Sequence, residues 1–196
     1  MAAEAPKLYT SEELNQLVKE ADIGGRDPGG GVGRLLAFLC AGWSIFQLWY
    51  ASPLPFVLRF GVFNDTEARA IHLALSIFLA FAVFPAFRSS SRRTVPWADW
   101  VVATVGAFCA AYLYLFYEQL AQRPGQPTTL DMVVGLLGIA IMLEATRRAM
   151  GTAMLITTGV FLAYIFAGPY MPEVIQHKGA SVSRLVSHMW LTTEGV

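Results

Sequence analysis

Long apolar segments alternate with short polar ones along this chain. A helix needs about 20 mostly apolar residues to cross the hydrocarbon core of a membrane. Five segments are candidates for such helices, over Leu35–Leu58, Ala70–Phe87, Trp100–Tyr117, Thr128–Arg147 and Ala149–Pro172. The pattern predicts an all-α fold, a polytopic membrane bundle of about five transmembrane helices.

The fourth segment has the shortest uncharged stretch of the five. Between Asp131 and Glu144 only 12 residues are free of charge, which as a helix would cover about 18 Å, less than the ~30 Å hydrocarbon core. A helix over Thr128–Arg147 is long enough if Asp131, Glu144 and Arg147 reach toward the two interfaces. The alternative is a re-entrant or surface helix.

The distribution of basic residues predicts how the chain is oriented. With five spans and a cytoplasmic N-terminus, nine Lys and Arg residues lie in inner segments and five in outer ones. The inner residues are Lys7, Lys19, Arg26, Arg34, Arg88, Arg92, Arg93, Arg147 and Arg148; the outer ones are Arg59, Arg69, Arg123, Lys178 and Arg184. Cytoplasmic loops carry an excess of Lys and Arg, so we expect the N-terminus to be cytoplasmic. If the fourth segment did not span, Arg147 and Arg148 would move outside and the bias would vanish.

A polar, acidic segment precedes the first span and does not have the pattern of a cleavable signal peptide. Thr10 and Glu13 match the capping-box pattern that begins helices. The apolar residues that follow recur on one face at helical spacing: Leu14, Leu17, Val18 and Ala21. We therefore expect a short cytoplasmic amphipathic helix, at the membrane interface or against a partner. The glycine-rich stretch GGRDPGGGVG after it predicts a flexible hinge.

Composition and charge exclude several classes of function. Apolar residues make up 55% of the chain and charged residues 14%, against about 25% charged in soluble domains. The net charge is zero, so no basic face is available for nucleic acid. No nucleotide-binding loop, HExxH or GxSxG motif occurs. We expect no enzymatic activity, and no catalytic, cofactor or metal site.

Few polar residues within the spans are candidates for function. A haem or metal role for His72 would need a second histidine at matching depth, but His177 and His188 follow the fifth span, so an interfacial hydrogen bond is expected instead. Glu144 and Arg148 are spaced to pair along a helix. The expected structural anchors are Arg69, His72, Asp131, Glu144, Arg147 and Arg148. No Asp or Glu lies in the middle of a predicted span, so this chain alone has no evident route for coupling ions.

Small residues within the spans are expected to serve packing. Cys40 and Cys109 fall at different depths in separate spans, too far apart for a disulfide. Small residues recur four apart in the third span, Ala103 with Ala107 and Gly106 with Ala110. Such residues allow another helix to approach closely.

Several sequence phrases together resemble one transporter family. They are ARAIHLALSIFLAFAVFPAF, VPWADW, QPTTLDMVVGLLGIAIMLEATRRAMG and YIFAGPYMPEVIQHKGASVSRLVSHMWLTTEGV. The chain, from about Arg34 to Val196, is similar to the N-terminal part of fused permeases of tripartite ATP-independent periplasmic (TRAP) transporters that work with TAXI-type binding proteins. The LEATRR and LTTEGV phrases carry most of this resemblance.

The sequence pattern before the first span and the resemblance after it together predict three regions. Residues 1–30 would be the cytoplasmic amphipathic helix and glycine-rich hinge, 31–148 the small four-helix TRAP membrane domain, and 149–196 the first helix and loop of a truncated large permease domain. In the family that large domain holds the sodium and substrate sites. Because the chain ends before them, no sodium- or substrate-binding residue is transferred, and sodium coupling is implied only for the whole transporter.

The function implied is that of a membrane scaffold in a sodium-driven, binding-protein-dependent importer of a solute, expected to be an organic acid. Its partners would be a large TRAP permease domain or subunit, a periplasmic TAXI-type binding protein and membrane lipid, with no nucleic acid. Its location would be the bacterial inner membrane. Two alternatives stay open: a membrane redox subunit that binds haem or quinone through His72 and the cysteines, or a non-functional truncated fragment.

Overall fold

The computed structural model describes residues 10–12, 14, 24–87 and 89–192 of the 196-residue chain. This described part consists of helices and their connecting loops, without strands. Five of its helices are long and apolar enough to cross a membrane. The predicted all-α fold of a multi-pass membrane protein is therefore confirmed.

The helices are numbered here in chain order. They are α1 Gly30–Ala51, α2 Leu54–Leu58, α3 Asp65–Val83, α4 Trp97–Leu115, α5 Tyr117–Ala121, α6 Thr129–Met150, α7 Thr152–Ala167 and α8 Val182–Met189. A 3₁₀ turn over Gly168–Tyr170 extends α7. The five candidate spans are α1, α3, α4, α6 and α7 with its 3₁₀ turn.

The sequence predicts an N-terminal amphipathic helix, but the structure describes only a few of its residues. Glu13, Leu17, Val18 and Ala21 lie outside the described residues. Among those described, the backbone N–H of Leu14 donates to the Thr10 carbonyl at 2.9 Å.

The first span ends earlier than its uncharged run. The sequence predicts a helix up to Leu58, but α1 ends at Ala51, and Ser52 adopts an extended conformation with ψ 163°. The cause is Pro53, because a residue that precedes proline is disfavoured in the helical region. The chain then forms the separate short helix α2.

Side-chain caps fix the starts of α3 and α6. The Asn64 side chain accepts from the Glu67 amide at 2.9 Å while Glu67 accepts from the Asn64 amide at 2.9 Å. Thr128 and Asp131 form the same reciprocal box at α6. With 22 residues, α6 is about 33 Å long, so the fourth predicted span is a helix of full length.

The core lies between α3, α4 and α6. Ala103, Gly106 and Ala110 of α4 are buried there. A Cβ at Gly106 would lie 2.7 Å from methyl carbons of both Ile77 and Ile141. Small side chains therefore allow these three helices to approach one another closely.

After α7 the chain folds back onto the bundle. His177 stabilises the return, since its Nδ1 accepts from the Gly179 amide at 3.0 Å while Nε2 lies 3.1 Å from the Tyr164 carbonyl. Its ring packs against Tyr164 with centroids 4.7 Å apart. The following amphipathic helix, α8, begins at the Ser181 cap.

Helix α8 and Trp190 insert into the core. Val186 and Trp190 are buried against α6, where Gly135 and Gly138 leave the room that they occupy. The Trp190 indole N–H donates to the Cys109 carbonyl of α4 at 3.1 Å. The segment that follows the fifth span is thus part of the same core as α3, α4 and α6.

Two of the five long helices lie outside this core. In α1 the one buried residue is Leu36, and α7 contains none. Their exposed side chains are largely apolar, including Phe38 and Leu48 on α1 and Val160 on α7. Such faces suit lipid tails or another transmembrane helix.

Candidate functional site

Charged side chains form a cluster at the end of the bundle predicted to be cytoplasmic. This arginine cluster consists of Arg26, Asp99, Glu144, Arg147 and Arg148. Arg148 is central, since it donates to Asp99 at 2.9 Å and to Glu144 at 2.8 Å. Both the Arg148 and Asp99 side chains are more than nine-tenths buried.

Arg26 joins the segment before α1 to this cluster. Its side chain is fully buried, pairs with Asp99, and donates to the Phe81 carbonyl at 2.8 Å. Its backbone N–H donates to the Val83 carbonyl at 2.7 Å. Within the predicted hinge, Arg26 is therefore held firmly to the end of α3.

Arg147 extends the cluster to the loop after α3. It pairs with Glu144 at 2.7 Å and donates to the Ala86 carbonyl at 2.9 Å. The cluster thus joins the ends of α3 and α6, the start of α4 and the segment before α1. Breaking a buried pair leaves an uncompensated charge, so these contacts strongly favour one relative position of the helices.

A second buried charge lies at the opposite end, in what we call the Asp131 cluster (Tyr112, Arg123, Thr128 and Asp131). Asp131 is fully buried. It accepts from the Tyr112 hydroxyl at 2.7 Å and the Thr128 amide at 2.7 Å, and it pairs with Arg123 at 3.1 Å. The expectation that Asp131 reaches toward the interface is wrong. It points into the bundle because the capping box and the α4 hydroxyl hold it there.

A cavity of ≈190 Å³ lies beside the Asp131 cluster. Its lining includes Tyr117, Arg123, Asp131 and Ser187, and most of its wall is apolar. Sites for small-molecule ligands typically have about 300–1,000 Å³. The cavity is smaller than that, so we assign it to imperfect packing around α5 and α8.

A third polar group lies where α1 meets α3. His72 Nδ1 accepts from the Trp43 indole at 3.2 Å and also contacts the Gln47 amide nitrogen. The Trp43 and His72 rings lie 5.0 Å apart. We call Trp43, Gln47 and His72 the His72 group; its contacts join α1 to α3.

The remaining expected anchor, Arg69, is on the surface. It pairs with Asp65 at 2.9 Å, and both side chains are more than half exposed. Exposed pairs of this kind add little stability. The structure therefore brings Glu144, Arg147 and Arg148 together, places Asp131 in the opposite cluster, and leaves Arg69 apart from both.

Sequence reasoning missed several members of these clusters. They are Arg26, Asp99, Tyr112 and Arg123. Asp99 had a local signal, because it is an acidic residue directly before the third apolar segment. Arg26 had none, since its partner Asp99 is 73 residues away.

No group of three or more His, Cys, Asp or Glu side chains is placed to hold a metal ion within the described residues. Cys40 is exposed and Cys109 is buried, and neither forms a disulfide. Cys109 contributes to the core.

Comparison with known proteins identified no relative of this chain. No family model, curated protein or solved structure matches the chain. The fold class that the helices define is that of a multi-pass helical membrane protein.

Proposed function

We propose that this protein is a membrane scaffold component of a TRAP-type, sodium-driven importer that works with a periplasmic binding protein. The family is suggested by the sequence phrases quoted above. The observation that best supports a scaffold role is the placement of the buried charges. Those described lie near the two ends of the bundle, and each is paired with an opposite charge.

A transport-competent helix typically carries an ionisable side chain facing a pathway deep in the membrane. Here Asp99 and Asp131 lie in the first turns of their helices, and the carboxylate of each forms an ion pair with arginine. Such pairs resist relative movement of the helices instead of exchanging ions. This arrangement favours a rigid role over a moving one.

The partner in this proposal is a large permease module, and α7 is the helix that meets it. The described part of the chain buries no α7 residue, although α3, α4 and α6 each bury several. The exposed Ile156, Val160 and Phe161 are part of the apolar surface of α7. A permease that slides across the bilayer needs a fixed apolar surface of this kind beside it.

An uptake assay tests the function. Proteoliposomes that contain this chain alone should accumulate no radiolabelled organic acid under an inward sodium gradient. Liposomes with a TAXI-associated permease module, its binding protein and this chain should accumulate it. Uptake by the chain alone would overturn the scaffold role. A visible haem spectrum in the purified protein would favour the redox alternative.

The proposed contact surface has its own test. Val160→Trp on α7 should reduce co-purification of the permease module at least severalfold, because it alters the shape of the proposed contact face. Val101→Trp on α4 is the matched control, since Val101 is also exposed but lies on a different helix. Equal loss in both variants would contradict the assignment of α7.

A further inference from the structure

The loop between α7 and α8 folds back onto the end of α7. This return loop, over 171–181, bonds to α7 and its 3₁₀ turn through its own backbone. The His177 amide donates to the Gly168 carbonyl at 3.3 Å, and the Ala180 amide donates to the Ile165 carbonyl at 3.2 Å. Because α8 begins two residues after Ala180, the second bond holds the start of α8 beside the end of α7.

The side chain of His177 ties the middle of the return loop to α7. Its Nε2 lies 3.1 Å from the Tyr164 carbonyl, which can only accept, so Nε2 carries a proton. Its Nδ1 accepts from the Gly179 amide at 3.0 Å, so Nδ1 carries none. The loop therefore binds the neutral imidazole in one tautomer, and both ring nitrogens are used.

Two glycines shape the site that the His177 ring occupies. A Cβ at Gly168 would overlap the ring, so the ring lies directly against the backbone there. Gly179 has φ +70°, and a Cβ on it would lie 2.9 Å from Cδ of Pro169. On another side the Tyr164 ring packs with its centroid 4.7 Å from that of His177. These contacts keep Nδ1 opposite the Gly179 amide.

Protonation of His177 is incompatible with this arrangement. An imidazolium carries a proton on each nitrogen and has no acceptor. Its Nδ1–H would point at the N–H of Gly179, so the hydrogen bond is lost and two donors face each other. A buried or half-buried donor without an acceptor costs about 1–3 kcal/mol.

The charged groups around His177 do not offset this cost. Within the described residues no carboxylate forms an ion pair with the ring, and the exposed Glu173 of the same loop is not in contact with it. Lys178, the next residue, adds a second positive charge. On the α7 side the titratable neighbour is Tyr164, whose hydroxyl donates to the Ile175 carbonyl at 2.9 Å.

We propose that His177 is an acid-sensitive latch, which holds the return loop on α7 at neutral pH and releases it when the ring is protonated. The loop binds only the neutral ring, so its stabilisation is present at higher pH and is lost as the pH falls. Once released, ten residues span at most about 35 Å. The end of α7, which buries no residue of its own, is then free to move away from α8. The inference does not depend on the proposed transport function, because it uses only contacts within this chain.

Hydrogen exchange of the purified chain in detergent tests the latch. Free histidine titrates near pH 6.5, so measurements at about pH 7.5 and about pH 5.0 bracket the change. After correction for the intrinsic exchange rates, the amides of His177, Gly179 and Ala180 should lose protection about tenfold at the lower pH. Equal protection at the two pH values would overturn the proposal.

His177→Asn separates the latch from other effects of acid. An asparagine oxygen accepts from the backbone amide two residues on in an Asx turn, but it does not titrate in this range, so the variant should stay protected at both pH values. The matched control is His188→Asn, at an exposed histidine in the last turn of α8, which should respond to acid as the unaltered chain does. Loss of protection in acid by His177→Asn, or no loss by His188→Asn, would assign the response to another group.

A measurement on the unaltered chain covers a variant that does not fold. In a chain labelled with nitrogen-15 histidine, the Nδ1 and Nε2 signals of His177 report which nitrogen carries the proton. At neutral pH the proton should be on Nε2 alone, and Nδ1 should become protonated over the same pH range in which the loop amides lose protection. A proton on Nδ1 at neutral pH, or protonation without loss of protection, would show that His177 is not a latch.

Discussion

At the scale of single residues, the glycines of α6 determine how closely α8 can approach. Gly138 faces the Trp190 indole, and a Cβ there would overlap the ring. Gly138→Ala should therefore destabilise the bundle by about 1–3 kcal/mol, as overpacking does in other cores. The measurement is thermal unfolding in detergent.

Gly159→Ala on α7 is the control for this prediction. A Cβ at Gly159 meets nothing within 4 Å. The substitution should be neutral or stabilise by up to about 1 kcal/mol, because alanine favours helix more than glycine does. Equal melting temperatures for the two alanine variants would mean that Trp190 does not occupy the space beside Gly138.

At the end of the bundle that is predicted to be periplasmic, the removal of Asp131 should lower the free energy of unfolding most. Asp131→Ala leaves the Tyr112 hydroxyl, the Thr128 amide and the Arg123 guanidinium without their shared acceptor. We expect a loss of about 3 kcal/mol in unfolding free energy, as for other broken buried pairs. Denaturant titration in mixed micelles measures it.

Asp65 provides the control for Asp131. It also begins a helix and pairs with an arginine, but its side chain is largely exposed. Asp65→Ala should cost less than about 1 kcal/mol. A loss as large as that of Asp131→Ala would contradict the argument that burial determines the difference.

At the scale of elements, α8 depends on one aromatic side chain for its position. Trp190→Ala removes a nearly fully buried indole and its bond to the Cys109 carbonyl. Truncations of this size cost about 3–5 kcal/mol, and α8 should then detach more readily. Limited proteolysis should cut faster within 173–181, the loop that leads to α8.

Trp97→Ala provides the comparison for Trp190, because Trp97 is 79% exposed. Its removal should leave both the melting temperature and the cleavage rate nearly unchanged. If the two tryptophan variants are cleaved at the same rate, α8 is not held by Trp190.

The long helices could be predicted from sequence because hydrophobic length is a local property. Their ends were less predictable, as α1 shows at Pro53. The docking of α8 was not predicted. Val186 and Trp190 lie in a short amphipathic segment, and their burial depends on Gly135 and Gly138 in a distant helix.

At the scale of the whole molecule, ion pairs and hydrogen bonds of buried charged side chains tie together the core helices at both ends. The arginine cluster joins α3, α4 and α6 at one end, and the Asp131 cluster joins α4 and α6 at the other. Four of the expected anchors, Asp131, Glu144, Arg147 and Arg148, belong to these clusters. Two of their partners, Asp99 for Arg148 and Arg123 for Asp131, could not be assigned from sequence, because such pairing depends on how the helices and loops pack.

The difference in charge between the two ends supports the predicted orientation. Near the arginine cluster the described charged residues are Arg26, Asp27, Arg34, Arg92, Arg93, Asp99, Glu144, Arg147 and Arg148. Six of these are basic and three acidic, whereas acidic and basic residues are balanced at the opposite end. Since positive charge is retained in the cytoplasm, we expect the arginine cluster to face that side.

Cysteine labelling in intact cells tests this orientation with two positions that flank α4. Ser91 and Gln126 are both exposed and lie at opposite ends of the bundle. In a Cys40→Ser background, a membrane-impermeant maleimide should label Gln126→Cys directly, and Ser91→Cys only after the membrane is permeabilised. The reverse result would invert the topology, and direct labelling of both would mean that α4 does not cross. Asp99 of α4 pairs with Arg148 of α6, and Arg26 links Asp99 to the carbonyl groups at the end of α3, so the orientation of α4 determines that of the core.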